Sequence, residues 1–258
     1  MFWVNGKNEK FLLKIFNTKE EKILRYVISD MHGEYHLFLD LLDKIKFSAT
    51  DEMIVCGDII DKGEHSVKLL QYIMSQPNIR CILGNHEYAF LKYYWALMKD
   101  CEDDYDLVLA KLKEYFSNDG HLLDWETIDW IEALPFWIEE DSFICVHAGI
   151  PLTPDNLLMP LEEVRVEYLV NDRWFKEPNV VHLSEKCVFF GHTPTSYVTG
   201  KNEIVAYLKP NKISAQSVLD FCKIHLDTGT WLCGTLGCFC VETCMAYYVS
   251  NLTVTKNL

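Results

Sequence analysis

Residues 53–63 read MIVCGDIIDKG, an apolar run that is followed at once by glycine and two aspartates. The run MIVC predicts a short buried strand, and the polar residues after it predict a loop at the carboxyl end of that strand. Ligands bind at the carboxyl ends of strands in open α/β sheets. The stretch therefore predicts an α/β fold whose loops at this edge carry the chemistry.

Four more apolar runs lead into polar clusters in the same way. Helical patterns separate the first three strands, and this alternation predicts parallel strands joined by helical crossovers. All five clusters would then converge on one crevice. The four further clusters are DMHG at 30–33, GNHE at 84–87, HAG at 147–149 and GHT at 191–193.

The composition, with 49% hydrophobic residues, predicts a globular protein with a sizeable core. We expect one domain over residues 1–258, with an acidic helical insert around 100–140 and an N-terminal extension at 1–22 that no pattern explains. No stretch approaches the ~20 apolar residues of a membrane-spanning helix, and no signal-peptide layout is present, so a cytoplasmic protein is expected. A net charge of −14 argues against broad nucleic-acid binding.

The last quarter of the chain carries several short strand-like runs, including IVAYL, KIHL and MAYYV, which predict a second, more antiparallel sheet. The ten cysteines are expected to be reduced and mostly buried in strands. A C-terminal group has the spacing C-x4-C-x-C-x3-C, which is not the paired C-x2-C of zinc sites. We expect core residues at its four positions, which are Cys233, Cys238, Cys240 and Cys244.

Six side chains in the polar clusters offer nitrogen or oxygen to a metal: Asp30, His32, Asp58, Asn85, His147 and His192. Such a set without thiolate suits manganese, iron, zinc or cobalt. One ion would take the first three residues and a second ion the last three. Asp58 would bridge the ions, because a carboxylate has two oxygens. Two divalent ions are therefore predicted, with manganese expected and iron or zinc as alternatives.

The charge balance of this predicted centre suits a phosphate. Two divalent ions bring four positive charges and two carboxylates return two negative ones, which leaves a net charge that attracts a phosphate dianion. Metal binding lowers the pKa of a water towards ~7. The predicted nucleophile is therefore a hydroxide that bridges the metals.

The five motifs, in this order, resemble the signatures of the metallophosphoesterase superfamily, and within it the calcineurin-type phosphoprotein phosphatases. The match covers residues 23–195, with a weaker echo at 226–229. The resemblance implies a four-layer αββα sandwich, in which two mixed β-sheets pack together with helices outside. It also implies a metal-dependent hydrolase of phosphate esters.

By the same resemblance, His86 is the general acid that protonates the leaving oxygen, and Asp61 keeps its imidazole charged and oriented. Lys62 and Arg173 would hold phosphate oxygens together with Asn85. The family usually has arginine at position 62, and lysine cannot make the planar two-pronged contact. We therefore expect a looser phosphate clamp. Lys62→Arg should lower the Michaelis constant, and an unchanged or higher constant would contradict this expectation.

Three functions are compatible with these motifs. The first is a serine/threonine protein phosphatase of the bacterial or phage type, which acts on phosphorylated protein. The second is a symmetrical diadenosine tetraphosphate hydrolase, which acts on a small phosphoester. Those enzymes typically carry alanine at position 61 and aspartate at position 87, so Asp61 and Glu87 favour the phosphatase. The third is a metal-binding scaffold without turnover, and retention of His86, Asp61 and all six ligands speaks against it.

Overall fold

The structure, a computed structural model, describes residues 23–102, 104–115 and 123–251. The predicted extension at 1–22 lies outside these residues. The described strands are β1 (Arg25–Ile28), β2 (Glu52–Val55), β3 (Ile79–Cys81), β4 (Trp137–Glu139), β5 (Phe143–Val146), β6 (Cys187–Phe190), β7 (Val205–Leu208), β8 (Phe221–His225), β9 (Thr235–Cys240) and β10 (Met245–Ser250). The described helices are α1 (Tyr35–Ile45), α2 (Ser66–Met74), α3 (Asn85–Asp100), α4 (Tyr105–Tyr115), α5 (Trp125–Glu132), α6 (Val166–Asn171), α7 (Ser196–Thr199) and α8 (Thr230–Cys233).

The strands form two five-stranded mixed sheets. The first sheet has the order β10-β9-β1-β2-β3 and the second has the order β4-β5-β6-β8-β7. In the first sheet β1, β2 and β3 are parallel, and in the second β5, β6 and β8 are parallel. The remaining pairings are antiparallel. Two mixed sheets with helices outside were predicted from the sequence, and this prediction is confirmed.

Alternating side chains of the strands build the layers. Val27 of β1 lies in the core between the sheets, while Tyr26 and Ile28 lie in the core beneath the helices of the first sheet. In β6, Phe189 joins the core between the sheets and Phe190 packs outward beneath α6. A strand that buries both faces is apolar throughout. This explains why the runs before the polar clusters lack polar residues.

The strands of the C-terminal tail do not form a sheet of their own, so the predicted second sheet is corrected. β7 and β8 extend the second sheet, and β8 pairs in parallel with β6. β9 and β10 instead extend the first sheet, where β9 pairs antiparallel with β1. The reason is that short apolar runs specify strand formation but carry no signal for the pairing partner.

The acidic stretch around 100–140 is helical at α4 and α5, and it ends in a strand. That strand, β4, pairs antiparallel with β5 at the edge of the second sheet, so the stretch is not helical throughout. Val108, Ile128 and Ile131 lie in the same core cluster as the inner faces of α1 and α2. In the described part of the chain, every helix is too short or too polar to cross a membrane.

All ten cysteines fall within the described residues and all are free thiols. Cys238 and Cys240 are buried in β9, as expected of core residues. Cys233 instead directs its sulfur toward the carbonyls of Thr228 and Gly229. Among the described residues, neither group of candidate metal ligands includes a cysteine.

Candidate metal centre

The predicted side chains meet where the two sheets present the carboxyl ends of their parallel strands. Many of them have unusual backbone geometry. Among the described residues, ten that are not glycine have a positive φ, and six of these are candidate site residues. Such a conformation costs on the order of 1–3 kcal/mol and concentrates at functional sites. The six are Asp30, His32, Asp58, Asp61, Lys62 and His192.

Two glycines allow the backbone to approach the carboxylates closely. A Cβ on Gly84 would lie 2.2 Å from Asp58 Oδ1, and a Cβ on Gly191 would lie 2.0 Å from Asp30 Oδ2. No heavy atom fits at these distances, so any side chain at either position would displace a carboxylate. The glycines of the GNHE and GHT motifs therefore shape the centre directly.

Asp58 occupies the middle of the centre. Its Oδ1 lies 3.4 Å from His147 Nε2, while its Oδ2 lies 3.6 Å from His32 Nε2 and 3.8 Å from His86 Nε2. The ligand atoms fall into two groups, each within 4.8 Å, which are His32, Asp58 and His86, and Asp58, His147 and His192. Asp58 belongs to both groups, which is the position expected of a bridging ligand.

Asp30 lies beside the first of these groups. Its Oδ1 is 4.0 Å from His32 Nε2, so the three ligands predicted for the first ion lie close together. The group whose ligand atoms all lie within 4.8 Å of one another contains His86 in place of Asp30. Its Oδ2 accepts hydrogen bonds from Ser29 Oγ at 2.5 Å and from the backbone N–H of His192 at 3.0 Å. Burial acts to raise the pKa of Asp30, but the imidazoles of His147 and His32 lower the pKa below its usual value.

Backbone carbonyls fix the orientation of two imidazoles. His32 Nδ1 lies 3.0 Å from the carbonyl of Ile60, and His147 Nδ1 lies 2.8 Å from the carbonyl of Cys56. Because a carbonyl only accepts, Nδ1 of each ring carries a proton, and Nε2 is the ring atom left to face Asp58. Burial lowers the pKa of His32 to about 4, so its ring is neutral at pH 7.

The second group gathers around the amide oxygen of Asn85. This oxygen lies 2.9 Å from His147 Nε2 and 2.7 Å from His192 Nδ1. Burial lowers the pKa of His192 to about 3, and among the described residues its buried Nε2 has no hydrogen-bond partner. The amide oxygen and His147 Nε2 both carry lone pairs, and a cation between them would satisfy both. The donor set therefore fits a metal ion.

The acidity of the centre also suits cations. Four acidic side chains are buried close together: Asp30, Asp58, Glu87 and Asp227. Burial raises the pKa of Asp58 well above its usual range, and the charges of Asp30 and Glu87 raise it further. Burial and the charge of Asp30 raise the pKa of Asp227 in the same way. Carboxylates crowded in a buried space are stabilised by cations among them.

His86 and Asp61 form a direct pair at the edge of the centre. His86 Nδ1 lies 2.7 Å from Asp61 Oδ2, and both side chains are partly exposed. Burial acts to lower the pKa of His86, but the hydrogen bond that its Nδ1–H donates to Asp61 and the charge of Asp58 raise the pKa above its usual value. His86 follows Asn85 at the start of α3, and its backbone N–H donates to Asp58 Oδ1 at 3.1 Å.

A cleft of about 230 Å³ opens beside the metal ligands. Both predicted phosphate-binding cations line it, and both are exposed. Lys62 Nζ lies 2.8 Å from His32 Nε2, so its ammonium can donate to the neutral ring. The lining also includes an apolar portion, which consists of Pro194, Tyr197, Trp231 and Leu232. Pro194 directly follows the GHT motif, whereas no motif marks the other three residues, which only the fold brings to the cleft.

Glu87 is a structural anchor of the centre. Its side chain is fully buried, and its two oxygens accept four backbone N–H bonds at 2.7–3.0 Å. The four donors are Asp58, Ile59, Ile60 and Gly84. This carboxylate therefore ties the loop after β2 to the start of α3 and holds Asp58 beside Asn85.

Glu87→Gln should destabilise the fold. A glutamine amide offers one oxygen, so its NH2 would face two buried N–H donors. We expect the free energy of unfolding to fall by about 2–6 kcal/mol, at ~1–3 kcal/mol for each unpaired amide. Urea unfolding of the metal-free protein measures this loss. The exposed Glu114→Gln is the matched control, with an expected change within about 0.5 kcal/mol. Equal effects of the two substitutions would contradict the anchoring role.

The two stacked sheets bring imidazoles and carboxylates together at their strand ends, where they form a candidate centre for two metal ions. The model of the calcineurin-like phosphoesterase family matches residues 25–218. The chain therefore belongs to the calcineurin-like phosphoesterase family. Members of this family use a dinuclear metal site, and the two groups of candidate ligands that share Asp58 fit such a site.

Curated relatives are similar over part of their length. The symmetrical bis(5'-nucleosyl)-tetraphosphatases of Haemophilus ducreyi and Erwinia tasmaniensis are 34% and 32% identical over 129 residues. These matches cover 48% of this chain and 44% of each relative. The chain thus spans less than half the length of these two relatives.

Solved structures show the same fold. A crystal structure assigned provisionally as a diadenosine tetraphosphatase has a TM-score of 0.62 at 16% identity, covering 90% of this chain and 95% of that one. A serine/threonine phosphatase from Saccharomyces cerevisiae has a TM-score of 0.55 at 13% identity, covering 91% of this chain and 82% of that one. Identities this low show the fold alone.

Proposed function

We propose that the chain is a phosphomonoesterase that hydrolyses phosphoserine and phosphothreonine in proteins with the help of two metal ions. The observation that carries this proposal is the hydrogen bond of 2.7 Å between His86 and Asp61 beside the ligand groups. A carboxylate that accepts a hydrogen bond from Nδ1–H stabilises the imidazolium, whose second proton, on Nε2, is directed at the centre, 3.8 Å from Asp58 Oδ2. His86 is thus arranged as a general acid.

The need for such an acid depends on the leaving group. Hydrolysis of a serine or threonine phosphate expels an alkoxide, which is a strong base and leaves readily only when it is protonated. Hydrolysis of a phosphoanhydride expels a phosphate, which is a weak base and needs no proton. The pair of His86 and Asp61 is therefore more useful to a phosphatase than to a polyphosphate hydrolase.

The metals are proposed to be manganese, with iron or zinc as alternatives. When bound, they would supply positive charge and a water nucleophile of lowered pKa. The residues proposed to hold them, in two groups that share Asp58, are Asp30, His32, Asp58, Asn85, His147 and His192.

The remaining residues of the centre would bind and orient the substrate. Lys62 and Arg173 line the cleft next to the ligand groups, where their positive charges can hold phosphate oxygens. The side-chain amide of Asn85 lies at the start of α3, where the helix dipole also favours an anion. The phosphate would thus be held between the two cationic side chains and the helix start.

A second candidate is hydrolysis of dinucleoside polyphosphates. The curated relatives are named symmetrical bis(5'-nucleosyl)-tetraphosphatases. The cleft also has an apolar portion that suits a nucleobase. Tyr197 is 72% exposed and Leu232 is 38% exposed, so both are available to a ligand in this cleft. These features favour the second candidate, whereas the acid pair favours the first.

Competing substrates test the two candidates. A phosphothreonine peptide, diadenosine tetraphosphate and p-nitrophenyl phosphate would be compared on the manganese-loaded protein. We expect kcat/KM for the peptide to exceed that for diadenosine tetraphosphate by about tenfold or more, because only the alkyl ester needs the acid. The reverse order would support the second candidate. Absence of turnover with every substrate and divalent metal would overturn both and leave a metal-binding scaffold.

A further inference from the structure

We propose that Lys223 is a positioning residue that holds the loop bearing Arg173 against the substrate cleft. This inference rests on the proposed function, because it takes Arg173 as a ligand of the substrate phosphate. Lys223 lies in β8, which pairs with β6 and β7 in the second sheet, and it belongs to none of the five motifs. It is fully buried, which is unusual for a lysine.

The ammonium of Lys223 donates hydrogen bonds to the backbone of the loop segment that follows Arg173. Its Nζ donates to the carbonyl of Phe175 at 2.5 Å and to the carbonyl of Glu177 at 2.8 Å. These carbonyls lie two and four residues after Arg173. Because both acceptors belong to the backbone, the bonds fix the path of the loop rather than a single side chain.

Aromatic rings complete the surroundings of the ammonium. Nζ lies 4.8 Å from the ring centre of Tyr207, 5.1 Å from that of Phe175 and 5.9 Å from that of Phe190. A cation over aromatic faces is stabilised most when it is desolvated. Burial lowers the pKa of Lys223 to about 8, so the charged form still dominates at pH 7.

The loop is fixed from its other side by Asp172. The Oδ2 of Asp172 accepts hydrogen bonds from the backbone N–H of Trp174 at 3.0 Å and from that of Phe175 at 2.6 Å. Arg173 therefore lies in a turn that Asp172 closes before it and Lys223 anchors after it. The exposed Arg173 lines the cleft alongside Lys62, so the turn sets where its charge falls.

A role in packing alone does not explain a lysine here. Burying an ammonium is costly, and a methionine would fill a similar volume at a lower desolvation cost. What methionine would lack is the pair of hydrogen bonds to the loop. The buried ammonium is therefore best explained by its hydrogen bonds to the carbonyls of Phe175 and Glu177, which fix the loop beside Arg173.

The test uses Lys223→Met, Arg173→Ala and the double variant, each loaded with manganese. Inorganic phosphate is the probe, and its affinity is measured by calorimetry. We expect each single variant to weaken phosphate binding by about tenfold, and the double variant to be no weaker than Arg173→Ala. With the phosphopeptide, Lys223→Met should raise KM more than it lowers kcat. Ile224→Val changes a buried residue of the same strand that faces the core between the sheets, and this matched control should leave phosphate affinity unchanged.

Phosphate binding needs no turnover, so these results remain decisive if the phosphatase assignment fails. Unchanged phosphate affinity in Lys223→Met would overturn the inference, as would independent, multiplying losses in the double variant. If Lys223→Met does not fold, Lys223→Gln replaces it, because its amide can donate to one of the two carbonyls. Lys223→Gln should weaken phosphate binding less than Lys223→Met would. Combined with Arg173→Ala, it should cause no further loss of phosphate affinity beyond that of Arg173→Ala alone. A further loss in that combination would contradict the inference.

Discussion

His86→Asn should lower the turnover number for a phosphothreonine peptide by about 10²–10⁴-fold while both metal ions stay bound. Asparagine cannot deliver a proton to the leaving alkoxide. His86 is partly exposed, so the substitution should also leave the fold intact. Steady-state kinetics and elemental analysis of the same preparation measure the two effects together. Near-normal turnover would show that His86 is not the acid.

Two comparisons separate loss of the acid from general damage. p-Nitrophenyl phosphate has a weakly basic leaving group, so His86→Asn should slow its hydrolysis much less than that of the peptide. Asp61→Asn keeps the imidazole but removes the carboxylate that raises the pKa of His86. The acid would then lose its proton at lower pH, so the alkaline limb of the pH–rate profile should move to lower pH. An unmoved limb would contradict the pairing.

Asp58→Asn should abolish binding of the metal pair and reduce turnover by more than about 100-fold. Asp58 is the side chain that the two ligand groups share, with one oxygen facing each of them. A neutral amide offers one oxygen and no charge, so it cannot serve both groups. Elemental analysis after manganese loading should find fewer than two ions per chain. Retention of both ions would show that the shared carboxylate is not required.

The same variant has an opposite effect on the metal-free fold. Burial and the charges of Asp30 and Glu87 raise the folded-state pKa of Asp58 well above its usual range. A carboxylate with a raised pKa costs stability when it is ionised at neutral pH, so removing its charge should help the apo fold. We expect metal-free Asp58→Asn to melt at or above the temperature of metal-free wild type at pH 7. Added manganese should raise the melting temperature of the wild type only.

The centre is easier to predict than the sheets because its signals are local. A polar cluster directly after an apolar run places Asp58 and Asn85 at strand ends, wherever those strands lie in the sheet. The pairing of β9 with β1 joins residues more than 190 positions apart, and nothing in either run specifies it. Strand existence is therefore readable from the sequence, whereas the assignment of the tail strands to two sheets is not.

The contacts that support the centre are only partly predictable from the sequence. His225 carries no motif partner in the sequence, and it is buried with its ring stacked 4.5 Å from Phe190 and its Nε2 2.6 Å from the carbonyl of Thr193. Glu87 lies in the GNHE motif, but its four backbone N–H partners are identified only by the fold. Lys223 had no sequence signal, because a bond from a side chain to a distant backbone carbonyl leaves no motif.

The most direct test of the dinuclear centre is electron paramagnetic resonance of the manganese-loaded protein. Two manganese ions that share a carboxylate lie about 3.5–4 Å apart and are magnetically coupled. We predict an exchange-coupled signal that accounts for two manganese ions per chain and disappears in Asp58→Asn. An uncoupled signal from isolated manganese, unchanged by that substitution, would contradict the shared site.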